Sequence, residues 1–237
     1  MQLNVYDMDN TLIDTAEVMM QCQLEGLLKA TADRKLIMER SKLYLSQILR
    51  VNGIEHTLSV LGIDQDTFFK KHYKTFDPKQ AVYTGKMRMF DDAFLFFDKG
   101  ARSDRHLPDR KTFAIDAIIS NSSIDATQEK LYALNTRHYF EYVLAEFEKD
   151  KAKPKPYMAM QLLEQLEYAK TINKIDKIIN VGDKKTDIEF GEVLYDTLAT
   201  KMNHKPAFNN YLIDRNKMYR WMEPIKNAQI ITSFMEI

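Results

Sequence analysis

Short apolar runs recur along the chain, separated by stretches whose apolar residues keep helical spacing. Leu3–Tyr6, Phe113–Ile119, Tyr142–Leu144, Lys177–Val181, Thr197–Lys201 and Gln229–Ile231 each read as strands. Thr127–Asn135 puts Leu131 and Leu134 on one side of a helix, and Met158–Tyr168 does the same with Met158, Leu162, Leu163 and Leu166. Strands alternating with helices predict an α/β fold built on a doubly wound parallel sheet, a Rossmann-like core. Residues 15–84 break the alternation, since they hold no convincing strand and read as helical throughout. Asp14-x-x-Glu17 has the form of a capping box, opening a helix with apolar positions at Val18, Cys22 and Leu28. A second helix is expected over Leu36–Leu49. Gly53 and Gly62 punctuate two shorter ones, with Asp64 as N-cap of the last. An all-helical insert between the first two strands is most simply a cap domain. The expected organisation is therefore an α/β core from 1–14 and 85–237 with a helical cap over 15–84.

Composition narrows the function classes. The 237 residues are 45% hydrophobic and 11% aromatic, enough for a sizeable core in one or two domains. Lys+Arg and Asp+Glu are both 34. That balance lacks the basic excess of a dedicated nucleic-acid binder, so nucleic acid is not expected as a partner. It also gives no drive toward anionic membranes. Cys22 is the single cysteine, which excludes an intrachain disulfide and a cysteine-based zinc site. Asp7, Asp9 and Asp14 interrupt the first 20 residues, so no signal peptide is expected, and no run of 18 apolar residues spans a bilayer. A soluble, cytoplasmic protein is the expectation. Its oligomeric state is not readable.

Four segments follow strands and carry candidate chemistry. Asp7-Met8-Asp9-Asn10-Thr11-Leu12 leaves the first strand. Taken alone it fits a turn as well as a nucleophilic carboxylate with an acid/base partner. In Ser120-Asn121-Ser122-Ser123, Ser120 and nearby backbone N–H groups suit phosphoryl oxygens near a helix N-terminus, though taken alone the segment reads more simply as a Ser/Asn-rich N-cap. Lys153-Pro154-Lys155-Pro156 offers a stiffened lysine; Lys155 rivals Lys153, and a solvated basic loop is the bland alternative. Gly182-Asp183 leaves a strand tightly, and Thr186-x-x-Glu189 reads as a capping box that orients Asp187 in the next helix.

Together these segments resemble the motifs of the haloacid dehalogenase superfamily of phosphotransferases. Asp7-Met8-Asp9-Asn10-Thr11 matches its Asp-x-Asp-x-Thr motif, and Ser120 its Ser or Thr after an apolar strand. Lys153 matches its lysine in a Lys-Pro-x-Pro setting, and Gly182-Asp183 through Asp187 its Gly-Asp-x-x-x-Asp form. The insert over 15–84 resembles the family's helical C1-type cap, which goes with small, enclosed substrates.

The resemblance implies a Mg²⁺-dependent phosphohydrolase working through an aspartyl-phosphate. Asp7 would attack phosphorus as an ionised carboxylate with a pKa of about 4. Mg²⁺ would be held by Asp7, the backbone carbonyl of Asp9 and Asp183, with Asp187 as ligand or orienting group and Lys153 assisting. Ser120, Asn121 and Thr11 would bind the phosphoryl group. Asp9 would protonate the leaving alcohol and then activate water. Its presence points to a phosphatase or a phosphomutase rather than a dehalogenase or transport ATPase. The implied substrate is a small phosphorylated metabolite or nucleotide. A phosphomutase, or a catalytically weak binding or regulatory protein on this fold, is the alternative.

Some features fit this pattern less well. Lys184-Lys185 stands where Ser and a neutral residue are frequent; the extra lysine could pair with the acidic cluster but is expected to face water. The loop Arg102–Lys111 is long and reads as solvated. Arg34, Lys35, Arg40, Lys70, Lys71 and His72 read as solvated helix faces, and His56 and Trp221 as structural.

Overall fold

Strands buried on both faces carry near-continuous apolar runs, and here such runs build the central sheet. The computed structural model describes residues 1–32, 45, 47, 49, 54–98, 114–215 and 226–237. The chain separates into two units, Met1–Asp14 with Arg88–Ile237, and Thr15–Met87.

In the first unit, β1 (Gln2–Tyr6), β4 (Ala114–Ser120), β5 (Tyr142–Ala145), β6 (Lys177–Gly182), β7 (Ala207–Ile213) and β8 (Gln229–Ile231) form one sheet. Its order is β5-β4-β1-β6-β7-β8, with every neighbouring pair parallel. The chain therefore winds outward from β1 to β5, then crosses back to β6 and continues to β8. This is the doubly wound Rossmann-like core expected, and its switch point lies at β1. Tyr6 is level with Ile118 on one side and Val181 on the other, so Asp7, Ser120 and Asp183 leave the same end of the sheet. A separate antiparallel ribbon pairs β2 (Ile13–Asp14) with β3 (Arg88–Met89).

The second unit is helical among its described residues. It holds α1 (Ala16–Ala32), helical residues 54–60, a turn over Gln65–Thr67 that widens through Phe68–His72, and α2 (Pro78–Tyr83). Its own apolar core includes Leu27, Leu45, Leu49, Leu58 and Phe68. Asp64 caps its short helix by accepting from the Thr67 N–H at 2.8 Å.

Among the described residues of the first unit, four helices flank the sheet: α3 (Asp91–Asp98), α4 (Ile124–Ala133), α5 (Tyr157–Tyr168) and α6 (Lys185–Ala199). Leu3 and Val5 of β1 share one buried apolar cluster with Ile115, Ala117 and Ile119 of β4. Met158 and Leu162 of α5 and Phe190 and Leu194 of α6 close over it. The alternate positions of β1 face the other side. There Tyr6 packs against Phe97, Phe140 and Phe234 with ring centroids 5.4, 6.4 and 5.8 Å away. The buried carboxylate of Asp116 is satisfied on this side, accepting from Asn4 Nδ2 at 2.8 Å and the Tyr6 hydroxyl at 3.2 Å.

Several local expectations change. Thr197–Lys201 is not a strand: residues 197–199 end α6, where Leu194 and Leu198 continue its buried stripe, and the strand is Ala207–Ile213. Asp14 lies in the β2–β3 ribbon, and α1 starts at Ala16, so Asp14-x-x-Glu17 is not its opening box. Of the helix expected over Leu36–Leu49, positions 45, 47 and 49 are described and helical. Arg34, Lys35, Arg40, Gly53, the loop Arg102–Lys111, Phe113 and Trp221 lie outside the described residues. Among the described residues no helix is long and apolar enough to cross a membrane.

Candidate active site

The buried strand β1 delivers Asp7 to the sheet end, where its N–H donates to the Val181 carbonyl at 2.9 Å. The chain then turns tightly. Asn10 takes φ 64°, a left-handed conformation that asparagine tolerates, and the Leu12 and Ile13 N–H groups both donate to the Met8 carbonyl at 3.0 Å. Met8, Thr11 and Leu12 are buried and anchor the loop.

Lys153 reaches this loop from the segment before α5. The Asn121 side chain fixes its backbone, accepting from the Lys153 N–H at 2.7 Å and donating to its carbonyl at 3.3 Å. The Lys153–Pro154 peptide bond is cis. Lys153 Nζ lies 2.5 Å from Asp7 Oδ1 and 2.6 Å from Asp187 Oδ1. Lys155, the rival position, is exposed.

Asp187 sits in the first turn of α6 and accepts from the Lys184 N–H at 3.0 Å through Oδ2. It therefore caps its own helix, in place of the Thr186–Glu189 box, because its carboxylate folds back onto the helix start. A buried amide pair holds this turn to the sheet. Asn180 Nδ2 donates to the Asp187 carbonyl at 3.0 Å and to Asn210 Oδ1 at 2.8 Å, while Asn210 Nδ2 donates to the Ile188 carbonyl at 2.9 Å. Gly182 is required by close approach: a Cβ there would lie 2.2 Å from Asp187 Cβ.

Asp7, Asp183 and Asp187 each offer a carboxylate oxygen, all within 4.8 Å of one another. Burial pushes Asp7 up to about 6 against the pull of Lys153, and neighbouring Asp187 adds to the rise. Burial likewise raises Asp183 to about 7, with Asp7 contributing. The ordinary carboxylate value expected for Asp7 thus does not survive its surroundings. Burial opposes the charge of Lys153, but Asp7 and Asp187 outweigh it and hold the ammonium above the usual lysine range. Oxygen ligands crowded until two of them resist ionising fit a small hard dication such as Mg²⁺.

The Asp9 carboxylate turns elsewhere. Both its oxygens lie 2.7 Å from Lys130 Nζ on α4, and Ser122 Oγ donates to Oδ2 at 3.3 Å. Ser120 is buried, and its carbonyl accepts from the Glu146 N–H at 3.0 Å. Thr11 is buried too, and its Oγ1 has no hydrogen-bond partner among the described residues. Asn121, expected on the phosphoryl group, is exposed, and its amide meets the Lys153 backbone.

Two basic residues here escaped the sequence reading. Lys130 shares a buried helix stripe with Thr127 and Leu131, and that spacing was its available signal. Arg215, just past β7, pairs with both oxygens of Asp92 at 2.7 Å and donates to the Thr11 carbonyl at 2.8 Å, bracing the loop. Lys184 is exposed, as expected of a lysine that faces water; desolvation opposes its charge, and Asp183, Asp7 and Asp187 outweigh it. Lys185 pairs with Glu189 at 3.5 Å on the surface.

Residues 111–194 match the family model described as haloacid dehalogenase-like hydrolase. No curated protein matches the chain. Among solved structures, the chain is similar to a Lactobacillus plantarum protein assigned as a phosphoglycolate phosphatase, at 15% identity and TM-score 0.59, covering 99% of this chain and 96% of that one. It is also similar to a Thermotoga maritima protein assigned as a β-phosphoglucomutase, at 16% identity and TM-score 0.56, covering 98% and 94%. CbbY from Rhodobacter sphaeroides, in complex with xylulose-1,5-bisphosphate, matches at 13% identity and TM-score 0.56, covering 99% and 95%. At these identities the likeness is one of fold.

Proposed function

We propose that this chain, which has the fold and the matched segment of a haloacid dehalogenase-like hydrolase, is a Mg²⁺-dependent phosphohydrolase acting on a small phosphomonoester. The observation that carries the reading is the meeting of Asp7, Asp183 and Asp187 within 4.8 Å, with Lys153 Nζ 2.5 Å from Asp7. Asp7, Asp183 and Asp187 would hold Mg²⁺, which when bound offsets the negative charge of the phosphoryl group and of the carboxylates. Asp7 Oδ attacks phosphorus as the bond to the leaving oxygen breaks, and Asp9 gives that oxygen a proton. Asp9 then takes a proton from water as the water attacks phosphorus, which releases phosphate and restores Asp7. Lys153 holds Asp7 in place and adds positive charge beside the reacting oxygens. Ser120 and Thr11 would bind the phosphoryl oxygens.

Phosphate release from a panel of phosphorylated metabolites and nucleotides, with Mg²⁺ and with EDTA, tests this reading. Release that needs the metal and disappears in Asp7→Asn is expected. Release unaffected by Asp7→Asn would refute it. Transfer within a sugar phosphate, with little free phosphate, would instead favour the mutase reading that the fold likeness to the β-phosphoglucomutase-assigned protein raises.

A further inference from the structure

We infer that Lys130 is a positioning residue that holds the Asp9 carboxylate away from the metal site. Asp9 lies two residues from Asp7 on one tight loop, so a dication at Asp7, Asp183 and Asp187 would attract its carboxylate as a further ligand. Lys130 competes for that carboxylate. Its Nζ sits 2.7 Å from both oxygens, the pair is buried, and Ser122 Oγ supports it at 3.3 Å. Stability alone is a weak reason for such a pair, because apolar replacements of buried ion pairs are often neutral or stabilising. The turn around Asp9 is closed by backbone bonds to the Met8 carbonyl, which do not involve Lys130. What Lys130 fixes is therefore the direction of the Asp9 side chain, and that direction decides whether Asp9 serves proton transfer or ligates the metal. The catalytic part of this inference rests on the phosphohydrolase reading; the metal-binding part does not.

The test compares Lys130→Met, Lys130→Gln and Asp9→Asn with the double variant Lys130→Met/Asp9→Asn. Mg²⁺ affinity is measured by calorimetry, and turnover with 2-phosphoglycolate and 4-nitrophenyl phosphate. Lys130→Met is expected to bind Mg²⁺ several-fold more tightly and to lose kcat by roughly 10²-fold, with KM changed less than about threefold. The loss should be smaller with 4-nitrophenyl phosphate, whose phenolate leaves without a proton. In the Asp9→Asn background the tightening should vanish, which separates a released carboxylate from the mere loss of a positive charge. Unchanged or weaker Mg²⁺ binding in Lys130→Met overturns the inference, and Lys130→Gln gives the same decision if the methionine variant does not fold. A wild-type protein that binds Mg²⁺ but releases phosphate from neither probe nor any compound of the panel defeats the phosphohydrolase reading, while the affinity comparison still decides the clamp.

Discussion

Lys153 joins two carboxylates that burial would otherwise leave uncompensated. Its Nζ is within 2.6 Å of both Asp7 and Asp187, and its side chain is almost wholly buried. Removing one partner of a buried pair typically costs about 3–5 kcal/mol, more than the pair itself contributes to stability. Lys153→Met should therefore lower the urea midpoint clearly and abolish turnover, whereas Lys155→Met, at an exposed position, should change neither. Equal effects in the two variants would remove the distinction between these lysines. Asp7→Asn acts differently. It deletes the nucleophile and, by removing a negative charge, eases the crowding that raises Asp183. It should lose turnover and phosphate trapping while remaining folded, checked by rapid quench and circular dichroism.

The first turn of α6 is seated by two glycines and an amide pair. A Cβ at Gly182 would lie 2.2 Å from Asp187 Cβ and 2.6 Å from its Cγ, so Gly182→Ala must displace the carboxylate that Lys153 holds. A Cβ at Gly191 would lie 2.6 Å from Asn180 Nδ2 and 2.7 Å from Asn210 Oδ1, splitting the pair that ties α6 to β6 and β7. Both variants should be destabilised by roughly 1–3 kcal/mol. Gly182→Ala should also weaken Mg²⁺ binding, because it moves Asp187 directly. Calorimetric Mg²⁺ titration and thermal denaturation check both. The same amides explain what the sequence hid. β1, β4, β5 and β6 were readable because their runs are apolar and bounded by polar turns. β7 was not, because Asn209 and Asn210 interrupt its run, and the reason for Asn210 lies in a partner 30 residues away. Asp7, Lys153, Asp183 and Asp187 could be drawn together because each follows or precedes an element at the same sheet end. Lys130 and Arg215 could not, because their roles depend on single pairings across the fold.

The two units carry separate apolar cores, one around Leu3, Val5 and Met158 and one around Leu27, Leu58 and Phe68. The acidic cluster belongs to the first, so metal and pH should act on that unit. Asp7 at about 6 and Asp183 at about 7 both stand above the ordinary carboxylate value of about 4. A group raised in this way binds its proton more tightly folded than unfolded. Folding then takes up protons between about pH 4 and pH 7, and the metal-free protein loses stability as pH rises through that window. Mg²⁺ binds the ionised carboxylates of the folded state, so protons compete with it and its stabilisation grows with pH. In EDTA the melting temperature should fall from pH 5 to pH 8. Added Mg²⁺ should raise it strongly at pH 8 and little at pH 5. Hydrogen exchange at pH 8 should place the added protection in β1, β6 and α6, and not in α1. A melting temperature indifferent to Mg²⁺ at pH 8 would mean that the three carboxylates do not form a metal site, whatever the chain's activity.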